Sequence, residues 1–374
     1  MKLSLTLKCT GFVLLSMLLL VGCGVFEGEQ SLNQIDAPPE DDPELVSDLE
    51  SIPGEEETTE ESGDESEEGE SEVENEENTQ AETVSRVLYL LDQNGLVVPH
   101  NVNLPAPESK EVAKQVLEYL VQDGPVTSML PSGFQAIFPS GTEVIDLNLE
   151  ADGTLVVNMS EEFKTYEAEN EQKILESMTH TLTQFENVDK VKLWINGEEQ
   201  NAMPVDGTPI SKGYSRADGI NIHQAEGIDF MESKATTLYF PMQGDEDVYF
   251  VPVTQHVETD DDNPHQSVVQ ALLEGPTFDL PLQHFINTGS KLAAEPVMED
   301  GILSLTFNEN ILSNSEKGMI ADEVMQSIIL TLTEQEGVDA VKVGVENHEE
   351  VINENGQPYT EPVSREMISP TESI

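Results

Sequence analysis

Apolar residues are distributed along the chain in three regimes. A short block from Phe12 to Leu20 is almost entirely apolar, and the stretch from Gly24 to Ser85 is almost entirely polar. Beyond about residue 86 the apolar positions become periodic. Val87 to Leu91 and Leu96 to Val98 alternate around Asp92-Gln93-Asn94-Gly95, which predicts a β-hairpin. Val112, Val116, Leu117 and Leu120 then recur at helical spacing, and Gly124-Pro125 ends that helix. Val144 to Leu149 and Thr154 to Met159 predict a second hairpin, turning at Ala151-Asp152-Gly153. A second helix follows, with Ile174, Leu175, Met178, Leu182 and Phe185 on one face, and then a strand from Val191 to Ile195.

The same order of elements occurs again. Thr237 to Phe240 and Val248 to Val253 repeat the first hairpin, and Val268, Val269, Leu272 and Leu273 repeat the first helix. In that helix Asn263 is the expected N-cap, Pro264 fits the first position, Gln266 completes a capping box, and Gly275-Pro276 is the stop. Leu303, Leu305 and Phe307 alternate in a strand after Asp300-Gly301, implying one buried face. Met325, Ile328, Ile329 and Leu332 form the second helix, followed by a strand from Val341 to Val345. Thr181 to Leu193 aligns without gaps to Thr331 to Val343, with eight of thirteen residues identical. Leu-Tyr, Val-Pro, Gly-Pro and Asp-Gly pairs recur in the same order, so the chain carries a tandem duplication. The fold class expected is α+β, with two domains that each pack two helices on one face of a small sheet.

The N-terminal regimes change the picture from soluble protein to exported one. Lys2 and Lys8 precede the apolar block, which is too short for a comfortable transmembrane helix and ends Leu20-Val21-Gly22-Cys23. Residues 1–22 read as a signal peptide, and the last four residues resemble a bacterial lipobox. Cys9 lies in the segment to be removed, so the mature chain keeps one cysteine, at its first position, and cannot form an internal disulfide. Cys23 is therefore the expected lipid-attachment residue, with acyl chains providing the membrane anchor. Residues 23–85 read as an acidic tether: Gly24 to Ser85 contains 24 Asp and Glu and no Lys or Arg. Such a segment buries too little apolar surface to fold alone, and its reach as a coil is roughly 40 to 45 Å. The whole chain has a formal charge of −58, which disfavours nucleic acid and anionic lipid headgroups as partners.

Candidate chemistry is sparse. The seven histidines, at 100, 180, 223, 256, 265, 284 and 348, show no metal-ligand spacing, and no nucleophile elbow or phosphate-cradling loop is present. Asp245-Glu246-Asp247 and Asp260-Asp261-Asp262 lack the ligand pattern of a calcium loop and read as solvated turns. Asp189 and Asp339 recur in the repeat with Lys192 and Lys342, at a helix-to-strand turn that favours a structural role. Trp194, Tyr89 and Tyr239 read as core or sheet-edge residues. No catalytic residue, metal or cofactor is expected.

The lipobox, the acidic spacer and the duplicated Leu-Tyr, Gly-Pro, Asp-Gly and Val-Asp-x-Val-Lys landmarks together resemble the GerM-like sporulation and spore germination lipoproteins. Each copy is similar to a GerMN domain, over about Val84 to Arg365. The resemblance implies domains like the ring-building motifs of secretion systems and an extracytoplasmic location, anchored to the mother cell membrane and facing the forespore across the intermembrane space. It also implies partners among sporulation channel proteins of the SpoIIQ and SpoIIIA type, and a non-catalytic scaffold role. Alternatives from other classes are a module that binds peptidoglycan or a germinant, and a wall hydrolase. The boundaries expected are 86–209 and 236–365 for the domains, 210–235 for the linker and 366–374 for a tail. The second helices are the expected interaction faces, and no individual interface residue is assigned.

Overall fold

The computed structural model describes residues 83–106, 112–185, 187–223, 233–245, 247–258, 263–276 and 280–368. The signal segment, Cys23, nearly all of the tether and the final six residues lie outside these ranges.

The first repeat opens with strands β1 (Thr83–Asp92) and β2 (Val97–Pro105), paired antiparallel in register from Thr83 with Pro105 to Leu91 with Val97. The turn between them is fixed by Asp92, whose Oδ1 accepts from the N–H groups of Asn94 and Leu96. Helix α1 (Val112–Glu118) follows, and β3 (Phe134–Gln135) adds to the end of β1. The second sheet contains β4 (Val144–Leu149), β5 (Thr154–Met159), β6 (Lys190–Ile195), β7 (Glu198–Glu199) and β8 (Tyr214–Ser215). Strand β5 pairs antiparallel with β4 and parallel with β6, and α2 (Glu171–Leu182) makes the crossover between β5 and β6.

The second repeat follows the same course. Strands β9 (Ser233–Gln243) and β10 (Val248–Glu258) pair antiparallel and lead into α3 (Pro264–Glu274). Strands β11 (Val297–Glu299) and β12 (Ile302–Phe307), helix α4 (Asp322–Leu332), β13 (Ala340–Val345), β14 (Val363–Ser364) and the short α5 (Arg365–Ile368) complete it. The sheet order is β11-β12-β13-β14, with β12 and β13 parallel. Leu303, Leu305 and Phe307 are buried while Ile302, Ser304 and Thr306 are partly exposed, as their alternation requires.

Two tandem α+β units are therefore present, and each divides its strands between a long hairpin and a separate sheet. The second helix of each unit joins the two. Strand β1 has no strand partner beside Tyr89 on the edge away from β2, so its backbone groups need others. Thr181 Oγ1 on α2 accepts from the Tyr89 N–H (3.0 Å), and Ser177 Oγ donates to the Tyr89 carbonyl (2.5 Å). In the second unit Thr331 Oγ1 on α4 accepts from the Tyr239 N–H (2.9 Å). Thr181 and Thr331 open the thirteen-residue match, and both are fully buried.

The Asp-Gly and Val-Asp landmarks also meet in space. Asp189 N–H donates to the Gly153 carbonyl and Asp339 N–H to the Gly301 carbonyl, both at 2.8 Å. Gly153 and Gly301 have φ of +77° and +78°, and a β-carbon on either would overlap the facing aspartate carboxylate. The recurring aspartates thus close the turn where the crossover returns to the sheet, and Lys190 Nζ adds an ion pair to Asp152 at 3.2 Å.

Three local expectations are corrected. Asn263 precedes α3 and Pro264 takes its first position, but the Asn263 side chain makes no capping bond, so the expected capping box is absent. Helix α1 stops at Glu118, before Leu120, because the Leu120 carbonyl turns to accept from Ile137 and Phe138 N–H groups. The stretch 210–235 is not a plain linker. Ile210, Tyr214 and Ile220 are buried, β8 pairs with β6, and β9 already begins at Ser233. Ile210, Tyr214 and Ile220 are spaced too widely to show a period, yet all three fill core positions, while Ile222 is exposed.

Gly153→Ala and Gly197→Ala separate the two costs of glycine replacement. Gly197 has φ +79° with nothing within 4 Å of a β-carbon, so alanine there should cost only the left-handed penalty of about 1 to 2 kcal/mol. Gly153→Ala adds overlap with Asp189 and should cost about 1 to 3 kcal/mol more. Urea unfolding of the two variants checks the order.

Candidate functional site at the joint between the repeats

The residues with the most unusual environments gather where the two repeats meet. Ser215-Arg216 at the end of β8 corresponds to Ser364-Arg365 at the end of β14. Each arginine lies over the ring of its own repeat's tyrosine, Arg216 over Tyr89 at 5.8 Å and Arg365 over Tyr239 at 5.0 Å. Arg216 Nε donates to Thr183 Oγ1 and Nη2 to the His180 carbonyl, at the end of α2. Arg365 Nε donates to Thr333 Oγ1 and Nη2 to the Leu330 carbonyl, at the end of α4. Both helix C-termini thus receive a cation, where the helix dipole favours one.

The arginine contacts of the two repeats differ just beyond each helix end. Gln184 follows α2, and its equivalent after α4 is Glu334. Glu334 Oε1 accepts from Arg216 Nη1 (2.8 Å), and Oε2 accepts from Arg365 Nη2 (2.7 Å) and from the Tyr239 hydroxyl (3.0 Å). One carboxylate, 16% exposed, therefore binds a guanidinium from each repeat. Burial raises its pKa, but Arg216 and Arg365 more than offset this and hold the group ionised below the usual carboxylate range.

A second contact lies on the hairpins. Asn221 sits in the left-handed region at φ +46°, which asparagine tolerates. Its Oδ1 accepts from the Val97 N–H (2.8 Å), while Nδ2 donates to the carbonyls of Val97 (2.7 Å) and Pro252 (2.8 Å). One side chain thereby joins β2 to β10. Tyr249 reinforces the contact through a hydroxyl bond to Asp92 Oδ2 (2.7 Å) and an edge contact with Phe134. Val98 of the first hairpin is buried in the core of the second repeat.

Helix α2 brings two titratable side chains to this joint. Glu176 is 2% exposed, and its Oε2 accepts from the Asn221 N–H (3.1 Å). Burial pushes its carboxyl up to about 7. His180, also 2% exposed, packs on Tyr89 with ring centres 5.2 Å apart, and its ring nitrogens make no well-aligned hydrogen bond among the described residues, the Gly219 backbone lying close to them. Burial and then Arg216 hold its pKa down to about 3, so it is neutral. The equivalent residues on α4 are Gln326 and Leu330.

Other residues singled out in the sequence fall elsewhere. Tyr89 and Tyr239 are buried, and Trp194, Lys192 and Lys342 lie on the sheet strands. Glu246 and 260–262 lie outside the described residues, as does Cys23. Among the described residues no group of three or more His, Cys, Asp or Glu is placed to hold a metal, and no helix is long and apolar enough to cross a membrane. Ten of the twelve residues of α2 are buried, which removes this helix as a free interaction face. Arg216, Asn221, Glu334 and Arg365 were not marked by composition or spacing. The Ser-Arg pair, recurring at the offset of the other landmarks, was the available signal for two of them.

The duplicated hairpin, crossover helix and sheet define a tandem-domain protein, and comparison with known families gives the class. The family described as Germane, sporulation and spore germination, matches at 87–201 and again at 237–351, and the chain belongs to it. A relative of near-equal length is the spore germination protein GerM of Bacillus subtilis (strain 168), 41% identical over 358 residues, covering 94% of both chains. The solved structure of the tandem GerMN domains of the Bacillus subtilis sporulation protein GerM superposes with a TM-score of 0.70. It is 44% identical and covers 76% of this chain and 97% of that one.

Glu334→Ala should destabilise the protein by about 2 to 4 kcal/mol in chemical denaturation, since it strands two partly buried guanidiniums. His180→Leu should be neutral or slightly stabilising at pH 7, because buried ring nitrogens without a well-aligned hydrogen bond are removed and the second repeat already has leucine there. The unfolded chain protonates His180 below about pH 6.5, whereas the folded protein keeps it neutral to about 3, so wild type loses stability as pH falls through that window. The advantage of His180→Leu should therefore grow by about 2 kcal/mol between pH 7 and pH 5, read from urea midpoints at each pH.

Proposed function

We propose that this chain is a lipid-anchored, extracytoplasmic assembly factor in sporulation, which uses its paired domains to bind and stabilise components of a transenvelope channel between mother cell and forespore. The observation that carries the reading is the near full-length relationship to the spore germination protein GerM, together with two matches to the Germane family. Its physical side is consistent with adhesion rather than turnover. The described side chains that depart most from ordinary environments hold the two repeats to each other through Arg216, Glu334 and Arg365. Cys23 is the proposed lipid-attachment residue, and the acidic stretch after it gives the domains reach from the membrane.

Affinity capture from sporulating cells, followed by mass spectrometry, tests the proposal. Channel proteins of the SpoIIQ and SpoIIIA type should be recovered with the wild-type chain. Cys23→Ala should move the protein from the membrane to the soluble fraction and reduce that recovery severalfold, with an unchanged thermal transition. Recovery of peptidoglycan fragments without channel proteins, or normal channel assembly in a deletion strain, would sink the proposal.

A further inference from the structure

The two copies provide an internal control for what the fold itself requires. Along the second helices and just beyond their ends, titratable residues of one copy are equivalent to neutral residues of the other at three positions near the joint: Glu176 to Gln326, His180 to Leu330, and Glu334 to Gln184. A buried carboxylate at 176 is therefore not demanded by the fold, since glutamine serves at the equivalent site of the second repeat.

Glu176 touches the residue that joins the hairpins. Its Oε2 accepts from the Asn221 N–H, while the Asn221 side chain holds the Val97 backbone of β2 and the Pro252 carbonyl of β10. The connection on either side of Asn221 is tied to β10 as well: Ile220 N–H donates to Thr254 Oγ1, Thr254 N–H to the Ile220 carbonyl, and His223 N–H to the Thr254 carbonyl. We propose that Glu176 and Asn221 form a pH-responsive latch between the repeats, closed when Glu176 is protonated and loosened when it ionises.

The direction follows from solvation. On α2 itself, Gln172 donates to Glu176 Oε1 at 3.4 Å and Lys173 acts on it through charge. From β8, Tyr214 places its hydroxyl against Gln172 and feels the charges of Glu176 and Asp218. One turn along α2 lies His180, held neutral beside Arg216, with Glu334 beyond. The hairpins meet Asn221 through the backbone of Val97 and Pro252, and among the described residues Lys173 is the one cation that acts on Glu176. The Asn221 amide by itself favours the ionised carboxylate, but burial of the charge at 2% exposure outweighs that one bond and the distant Gln172 donor, so ionisation favours separation of the contact and hydration of the carboxylate. Burial holds the closed-state group at about 7, against an ordinary value of 4.5, so the latch weakens as pH rises between these limits and stays weak above them.

Hydrogen exchange of the full-length protein, corrected for the intrinsic pH dependence of the chemical step, reads the latch directly. Protection around Val97, Ile220 to His223 and Thr254 should fall by about tenfold or more between pH 5.5 and pH 8, while that of the β12–β13 pairing stays constant. Glu176→Gln, which copies the second repeat, should keep these amides protected at both pH values. Asn221→Ala should leave them exposed at both, with unchanged far-ultraviolet circular dichroism. His180→Leu should retain the wild-type fall. A wild-type profile that is flat, a fall that survives in Glu176→Gln, or one that disappears only in His180→Leu overturns the proposal.

Discussion

A two-stranded hairpin leaves a row of backbone groups facing away from its partner, and those groups must be satisfied before anything can pack on them. Here threonines on the crossover helices accept from the exposed N–H groups, Thr181 from Tyr89 and Thr331 from Tyr239. That contact dictates where each second helix runs, because its side chains must lie along the hairpin edge while its apolar face still covers the sheet. It also buries the tyrosine rings, and so creates the surface over which Arg216 and Arg365 lie. Without the sealed edge, neither arginine has a ring to cover or a helix end to cap, and the joint has no cations for Glu334 to bind.

The joint built on this foundation mixes repeated and unrepeated parts. Tyrosine, threonine and arginine recur in both copies and belong to the domain. Glu334 and Asn221 do not recur, and these side chains couple one copy to the other, Glu334 by taking the recurring Arg216 of the first repeat and Asn221 by joining β2 to β10. Duplication supplied two similar surfaces, and a few substitutions made them fit each other. Such a contact resembles a subunit interface whose two sides have been fused and then allowed to diverge. Its ionic centre is well suited to specifying one orientation, since two guanidiniums and a phenol converge on a single carboxylate with little geometric freedom.

Much of this fold was legible in the sequence. Helical and strand periods located the hairpins, the helices and the strands that follow them, and the repeated thirteen-residue segment aligned them, whereas the parallel pairing of β5 with β6 and of β12 with β13 came from the fold. The Asp-Gly and Val-Asp landmarks were visible as recurring words, but their contact through Gly153 and Asp189 was not, because spacing along the chain carries no information on which turn meets which. The end of the first repeat was hidden for a different reason. Ile210, Tyr214 and Ile220 bury themselves singly, against partners distant in sequence, and no local period marks them. The joint was the least legible part, since Asn221 and Glu334 are ordinary polar residues until the fold removes their water.

Both hairpins and both second-helix ends are tied across the joint, so in the closed state the two copies are displaced from one another by a fixed step. Surface features at equivalent positions of the two repeats are thereby presented at one spacing and one relative orientation, set by the joint.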